Sequence, residues 1–99
     1  MLASMNHYEL FLIFDPALSD AAVSSAVAEV KELLGATGGA VCEEETWGKR
    51  ELAYEINNCR EGIYVVLTLN LAADKASAFS KELQAKDTLL RFLLTKLES

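Results

Sequence analysis

The sequence contains few of the residues that build metal centres and nucleophilic active sites. Its 99 residues include two cysteines and one histidine, which are Cys42, Cys59 and His7. A structural zinc site usually needs four ligands, so these side chains predict no metal site and no cofactor. The cysteines are predicted to remain reduced, because a structural disulfide is uncommon in a cytosolic chain.

Long apolar runs are also missing. The longest, at residues 10–14 and 63–67, are strand length, whereas a membrane helix needs about 20 apolar residues. No Lys or Arg precedes Lys31, and no apolar segment near the start is long enough for a signal peptide. We therefore expect a cytoplasmic protein that does not enter a membrane.

The combinations of residues that support catalysis are absent as well. Gly35, Gly38 and Gly39 follow a predicted helix instead of opening one, so they do not form a phosphate-binding loop. His7 has no nucleophile motif around it. The sequence therefore predicts a protein that is not an enzyme and has no small-molecule substrate.

Composition and charge indicate one folded domain with a local binding site. Hydrophobic residues make up 52% of the chain, so residues 1–99 are predicted to form a single domain with one modest core. Nine Lys or Arg residues against 15 Asp or Glu residues give a net charge of −6. Bulk charge therefore argues against nucleic-acid binding, and any phosphate contact must be local.

Periodicity predicts the order strand, helix, strand, strand, helix, strand. We expect strands at 8–14, 40–56, 63–69 and 89–97, and helices from Ser19 or Asp20 to Gly35 and over about 72–85. Helix is the alternative for 89–97, because leucine favours helix. A bulge or bend is expected at Trp47 and Gly48, and a turn at 57–62. This order predicts an α+β fold, a ferredoxin-like βαββαβ sandwich whose four-stranded antiparallel sheet carries two helices on one face.

One edge of the second strand combines cations with an aromatic residue. Lys49 and Arg50 are the only adjacent basic pair in the chain, and they follow its only tryptophan, Trp47. Cations beside an aromatic ring are suited to phosphate and base contacts in RNA. The alternative is a charged strand edge that deters aggregation.

The sheet face without helices is predicted to be apolar. Alternation along the first and third strands assigns Phe11, Ile13, Tyr64 and Val66 to this face. Tyr8 is expected near its rim, together with Trp47, Lys49 and Arg50. An uncovered apolar face marks an interaction site, either for another protein or for a second copy of the chain.

Residues 48–57 also carry the signature of a known family. The signature requires Gly, any residue, a basic residue or Cys, a polar residue, Leu, a small residue, Tyr, any residue, Ile and a polar or basic residue, and this segment satisfies it throughout. Supporting matches are Tyr8-Glu9, Asp15-Pro16 and the segment 62–64. From about residue 6 to 96 the chain resembles bacterial ribosomal protein six of the small subunit.

This resemblance implies a structural constituent of the small ribosomal subunit. Such a protein binds the central domain of small-subunit ribosomal RNA as a heterodimer with ribosomal protein eighteen of that subunit. By position, Lys49 and Arg50 would meet phosphate, with Trp47, Tyr8 and His7 also near the RNA. The surface for the partner protein would consist of Phe11, Ile13, Tyr64 and Val66.

Two hypotheses from other classes accompany this interpretation. One is a homodimeric ferredoxin-like regulatory or ligand-binding module that pairs through its sheet. The other is a small ferredoxin-like enzyme, for which topology is the only motive. The ribosomal and the homodimeric hypotheses differ in what covers the apolar face. In the first it is a different protein, and in the second it is another copy of the chain.

Overall fold

The computed structural model describes residues 5–56, 59–86 and 89–97, and its element order confirms the predicted βαββαβ sequence. The strands are β1 (Met5–Phe14), β2 (Ala40–Ile56), β3 (Cys59–Ala72) and β4 (Leu89–Leu97). The helices are α1 (Asp20–Ala36) and α2 (Ala76–Gln84), and a 3-10 turn at Ala73–Lys75 leads into the second. The final segment is a strand, as predicted, and not a helix.

The four strands form one antiparallel sheet in the order β2-β3-β1-β4. Strand β1 is central and pairs with β3 on one side and β4 on the other, so β2 and β4 are the edges. Both helices pack on the same face of this sheet, where they share a core with its strands. The predicted ferredoxin-like sandwich is therefore confirmed.

The core lies between the helices and one set of alternating strand residues. The predicted sheet positions in this core are all buried, namely Leu10, Leu12, Phe14, Val65, Leu67 and Leu69. Helix α1 adds its predicted stripe, from Val23 to Leu34, and α2 adds Phe79 and Leu83. Period-2 and period-3.6 patterns thus predicted which side chains this face buries.

Local side-chain chemistry sets the ends of α1. Ser19 is the N-cap, and its Oγ accepts a hydrogen bond from the Ala22 amide at 3.1 Å. The helix ends at Ala36, one residue beyond the predicted Gly35. Thr37 Oγ1 donates to the Leu34 carbonyl at 2.7 Å, and Gly38 then reverses the chain with φ 87°.

The hairpin between β2 and β3 is longer than the sequence predicts. Strand β3 begins at Cys59, and Glu61 already pairs with Glu51, so most of the predicted turn at 57–62 is strand. Backbone pairing between two long strands outweighs the polar composition of this segment. Residues 57 and 58 lie outside the described residues. The hairpin extends beyond the end of β1, because Phe14 pairs with Ile63.

Candidate protein and RNA interface on the open sheet face

The sheet face opposite the helices, which we name the open face, brings the predicted apolar residues together. Phe11 pairs with Val66, and Ile13 pairs with Tyr64, so the four side chains form two adjacent rows. Strand β4 extends the first row, because Leu93 pairs with Phe11. No helix among the described residues covers this face. Val66 is nevertheless only 4% exposed, which is against the prediction that it lines a partner surface, whereas Phe11, Ile13 and Tyr64 stay half-buried.

Trp47 lies over this centre and not at the rim where the sequence analysis placed it. The pairing of β2 with β3 shifts between Thr46 and Gly48, where Gly48 has φ 77°, which confirms the predicted bulge. The indole packs edge-on against Phe11, with ring centroids 5.6 Å apart, and stacks on Tyr64 at 6.0 Å. The ring remains 42% exposed, so it offers an aromatic surface to a partner.

The two adjacent cations lie on opposite faces of β2. Lys49 pairs with Ile63, which packs against the helix-side core, and it lines a cleft beside α1 together with Val23. Arg50 lies next to Trp47 on the open face. Successive strand residues point to opposite faces, so this pair does not form a single cationic site. Among the described residues, neither cation forms an ion pair with an acid.

The predicted placement of Tyr8 at the rim is wrong. Its side chain lies on the helix-covered face, 7% exposed within the core, and its hydroxyl receives a hydrogen bond from Asn6 Nδ2 at 3.4 Å. Strand alternation is the reason, because Tyr8 has the same parity as Leu10 and Leu12. That parity is a signal in the sequence from which the burial could have been predicted.

His7 is exposed on the open face but lies far from the cations. It pairs with Asn70 and Leu97, at the opposite end of the sheet from Arg50. Strand rise places His7 and Ile13 roughly 20 Å apart, and Arg50 lies beyond Ile13. The structure therefore does not bring the predicted RNA residues into one site.

Sequence reasoning missed three residues of the open face. Leu93 is 56% exposed and Tyr54 is 60% exposed, and both line a groove of about 280 Å³ with Phe11 and Ile13. The third is Arg91, whose Nη1 donates a hydrogen bond to the Tyr54 hydroxyl. The imperfect alternation of residues 89–97 concealed the parity of Leu93, and no local pattern links Tyr54 with Arg91.

The charged residues of the open face form two groups, one acidic and one basic, on opposite sides of its apolar centre. Glu9 and Glu43 both pair with Thr68, and Glu45 pairs with Val66, so carboxylates border one side of the apolar centre. Arg50 and Arg91 border the other. This arrangement can hold a partner through an apolar contact whose orientation is set by charge.

Other kinds of site find no support in the part of the chain that the structure describes. No group of His, Cys, Asp and Glu residues there could hold a metal ion. The thiol of Cys42 is exposed, and no disulfide joins it to Cys59. None of the described helices has the length and apolarity needed to span a membrane.

The sheet order, the helices on one face and the absence of a described helix from the opposite face define a ferredoxin-like domain. The family model for ribosomal protein S6 matches residues 7–96. The chain therefore belongs to the ribosomal protein S6 family, which confirms the resemblance found in residues 48–57.

Individual relatives agree with this assignment. The small ribosomal subunit protein bS6 of Desulfitobacterium hafniense (strain DSM 10664 / DCB-2) is 38% identical over 94 residues, covering 95% of this chain and 99% of the relative. The bS6 of Saccharopolyspora erythraea is 39% identical over 87 residues, covering 88% of this chain and 74% of the relative. The 30S ribosomal protein S6 of Thermotoga maritima has the same fold, with a TM-score of 0.88 at 21% identity over 95% of this chain and 89% of that one.

Proposed function

We propose that this protein is a structural constituent of the small ribosomal subunit in the cytoplasm, where it binds the central domain of small-subunit ribosomal RNA as a heterodimer with ribosomal protein eighteen. Family membership supports the place in the small subunit, because the relatives are named as proteins of that subunit. The observation that carries the heterodimer is the apolar open face.

The open face leaves large apolar side chains exposed to water. Leu93 and Trp47 are both exposed beside the half-buried Phe11, Ile13 and Tyr64. A contiguous patch of this kind marks a protein-binding surface, since covering it removes apolar area from water at about 25 cal/mol per Å². The patch therefore supports a protein partner that covers the whole sheet face.

The charges around the patch favour a basic protein over RNA at its centre. Glu9, Glu43 and Glu45 border the apolar residues and would repel phosphate, whereas Lys and Arg side chains of a partner would pair with them. The net charge of −6 agrees with this preference. In this arrangement the basic partner supplies much of the positive charge that holds the heterodimer on the RNA.

Direct RNA contacts are assigned to the edge of β2. Arg50 is exposed on the open face and Lys49 on the helix face, so each can meet a separate phosphate. Trp47, next to Arg50, offers a ring on which a base or sugar can pack. His7 would touch RNA only at the other end of the sheet, and the buried Tyr8 can contribute only its hydroxyl.

Titration of the central-domain RNA fragment tests this proposal. The fragment is titrated with the protein alone, with ribosomal protein eighteen alone and with both. We expect tight binding only with both proteins, because the acidic chain alone has few cations at the RNA. Equal and weak binding with and without the partner would contradict the proposal.

A homodimer is the second candidate, and the polarity of the open face favours it. Carboxylates border one side and arginines the other, so a second copy related by a two-fold axis could pair Glu9 or Glu43 with Arg50. Sedimentation at micromolar concentration distinguishes the candidates. A stable homodimer supports a homodimeric regulatory or ligand-binding module. A monomer that dimerises only with ribosomal protein eighteen supports the heterodimer.

A further inference from the structure

Tyr54 and Arg91 make a contact that the flat geometry of the sheet does not provide. Arg91 pairs with Ile13 and Ile13 with Tyr64, and the same row reaches Gly48 in β2. Tyr54 follows Gly48 by six residues. In a flat sheet Tyr54 would therefore lie more than about 20 Å from Arg91. The observed contact means that the tip of the β2–β3 hairpin bends across the open face towards β4.

The path of the hairpin supports this bend. Its pairing loses regular register between Glu51 and Ile56, which is where the strand must turn. Gly62 pairs with Arg50 just before that region, and a Cβ there would lie 2.5 Å from Ile13 Cγ2 and 3.5 Å from Leu52 Cδ2. Leu52 thus lies near Ile13 at the base of the hairpin.

The contact itself is a hydrogen bond. Arg91 Nη1 donates to the Tyr54 hydroxyl, so the guanidinium lies at the hydroxyl edge of the ring. Arg91 forms no ion pair with an acid of the described chain, so Tyr54 is the side chain that orients it.

We propose that Tyr54 and Arg91 form a clasp that positions the hairpin tip and so prebuilds the open-face groove for apolar side chains of the partner protein. The groove lies between Leu93 and Phe11 on the sheet and Leu52 and Tyr54 on the hairpin. Tyr54 is too exposed for the clasp to be a major part of the core. A groove held in its bound shape binds more tightly, because less ordering entropy is lost on association. The identity of the partner rests on the proposed function, whereas the clasp is a property of the free protein.

Hydrogen exchange and partner binding together test the clasp. The variants are Tyr54→Phe, Arg91→Ala and the double substitution. We expect Arg91→Ala to accelerate amide exchange at 51–56 and 59–62 in the free protein, but not in the centre of β1 and β3. We expect the same change to raise the Kd for ribosomal protein eighteen roughly three- to tenfold. Because both residues act through one contact, the double variant should bind about as weakly as Arg91→Ala alone.

The control is Arg60→Ala. Arg60 lies on the same hairpin and pairs with Glu55 at 3.1 Å, but it does not line the groove. This exposed pair contributes little, so the Kd should stay the same. A conservative Arg91→Lys variant should restore part of the affinity, since it retains a donor for the Tyr54 hydroxyl.

Two results would overturn the clasp. Unchanged hairpin exchange in both Tyr54→Phe and Arg91→Ala would show that the contact does not hold the tip. Additive losses of affinity with unchanged exchange would show that the two residues touch the partner independently. If the unmodified protein does not bind ribosomal protein eighteen, the proposed function fails, and the exchange measurement on the free protein still decides whether the clasp exists.

Discussion

The two faces of the sheet are built from the same strands, but the chain's own helices cover only one of them. On β1, Leu10 and Leu12 are fully buried by the chain's own helices, whereas their neighbours Phe11 and Ile13 stay half-buried on the open face. At these four positions the side chains are equally apolar. The difference lies in what covers them, since the chain's own helices cover one face and the other is the proposed binding surface.

The largest effect is expected on the helix-covered face. Phe79 is fully buried between α2 and the sheet, so Phe79→Ala should lower the free energy of unfolding by about 3–5 kcal/mol. Urea denaturation measures this loss. A cost below about 1 kcal/mol would mean that the helix face is not the main core, and the contrast between the faces would fail.

On the open face, a substitution should affect binding and not folding. Leu93→Asp should leave stability within about 0.5 kcal/mol, because the side chain is already largely in water. Burying the new carboxylate against a partner should raise the Kd for ribosomal protein eighteen roughly thirtyfold. Ser25→Asp, which adds the same charge at an exposed position of α1, is the matched control and should bind normally. If the two variants bind ribosomal protein eighteen with equal affinity, the open face is not part of the interface.

Gly62 lies against Ile13 and Leu52 at the hairpin end of the open face. In Gly62→Ala the new methyl group would meet Ile13 Cγ2 at 2.5 Å, so we expect a loss of about 1–3 kcal/mol in stability and weaker partner binding. Gly35→Ala is the control, because a Cβ there meets nothing within 4 Å and alanine favours helix. Gly35→Ala should therefore be neutral or slightly stabilising. If both variants unfold at the same urea concentration, Ile13 can shift to accommodate the new methyl group without a loss of stability, which would contradict this prediction.

The smallest effects are expected from Lys49 and Arg50 and are seen in the salt dependence of RNA binding. Because the two cations lie on opposite faces of β2, they cannot share a phosphate. Each alanine variant should reduce the slope of log K against log salt by about 0.7–0.9, and the double variant by the sum. Lys81→Ala on α2 serves as the control. If only Arg50→Ala reduces the slope, the RNA contacts the open side of β2 alone. If neither variant reduces it, neither residue contacts the RNA.

Much of the fold could be predicted because it depends on local patterns. The alternation around Leu10 and Leu67 identified the buried strand face, and the helical spacing from Val23 to Leu34 identified the helix that covers it. Ser19 and Gly48 were recognised because a cap and a bulge each require a particular kind of side chain or backbone. The family signature in residues 48–57 was equally local.

The arrangement of the open face was predicted only in part, since its geometry depends on contacts between distant segments. The four residues assigned to the apolar face do lie together. Tyr8 is predicted near the rim but lies in the core, as its shared parity with Leu10 and Leu12 indicates. Lys49 and Arg50 were treated as one site, yet neighbours in a strand point apart. The contact between Tyr54 and Arg91 depends on the bend of a hairpin across the sheet, which no local pattern encodes.

The sequence by itself determined the order of strands and helices, most residues of the core and the family, because alternation, caps and motif spacing act over a few residues at a time. The tertiary structure alone decided that Trp47 lies over the open face, that Leu93 extends this surface and that Arg91 holds Tyr54 beside it. These placements follow from strand order, twist and bulges, which bring residues far apart in the chain into contact. The separation of two residues along the chain does not show how far apart they lie in the folded protein.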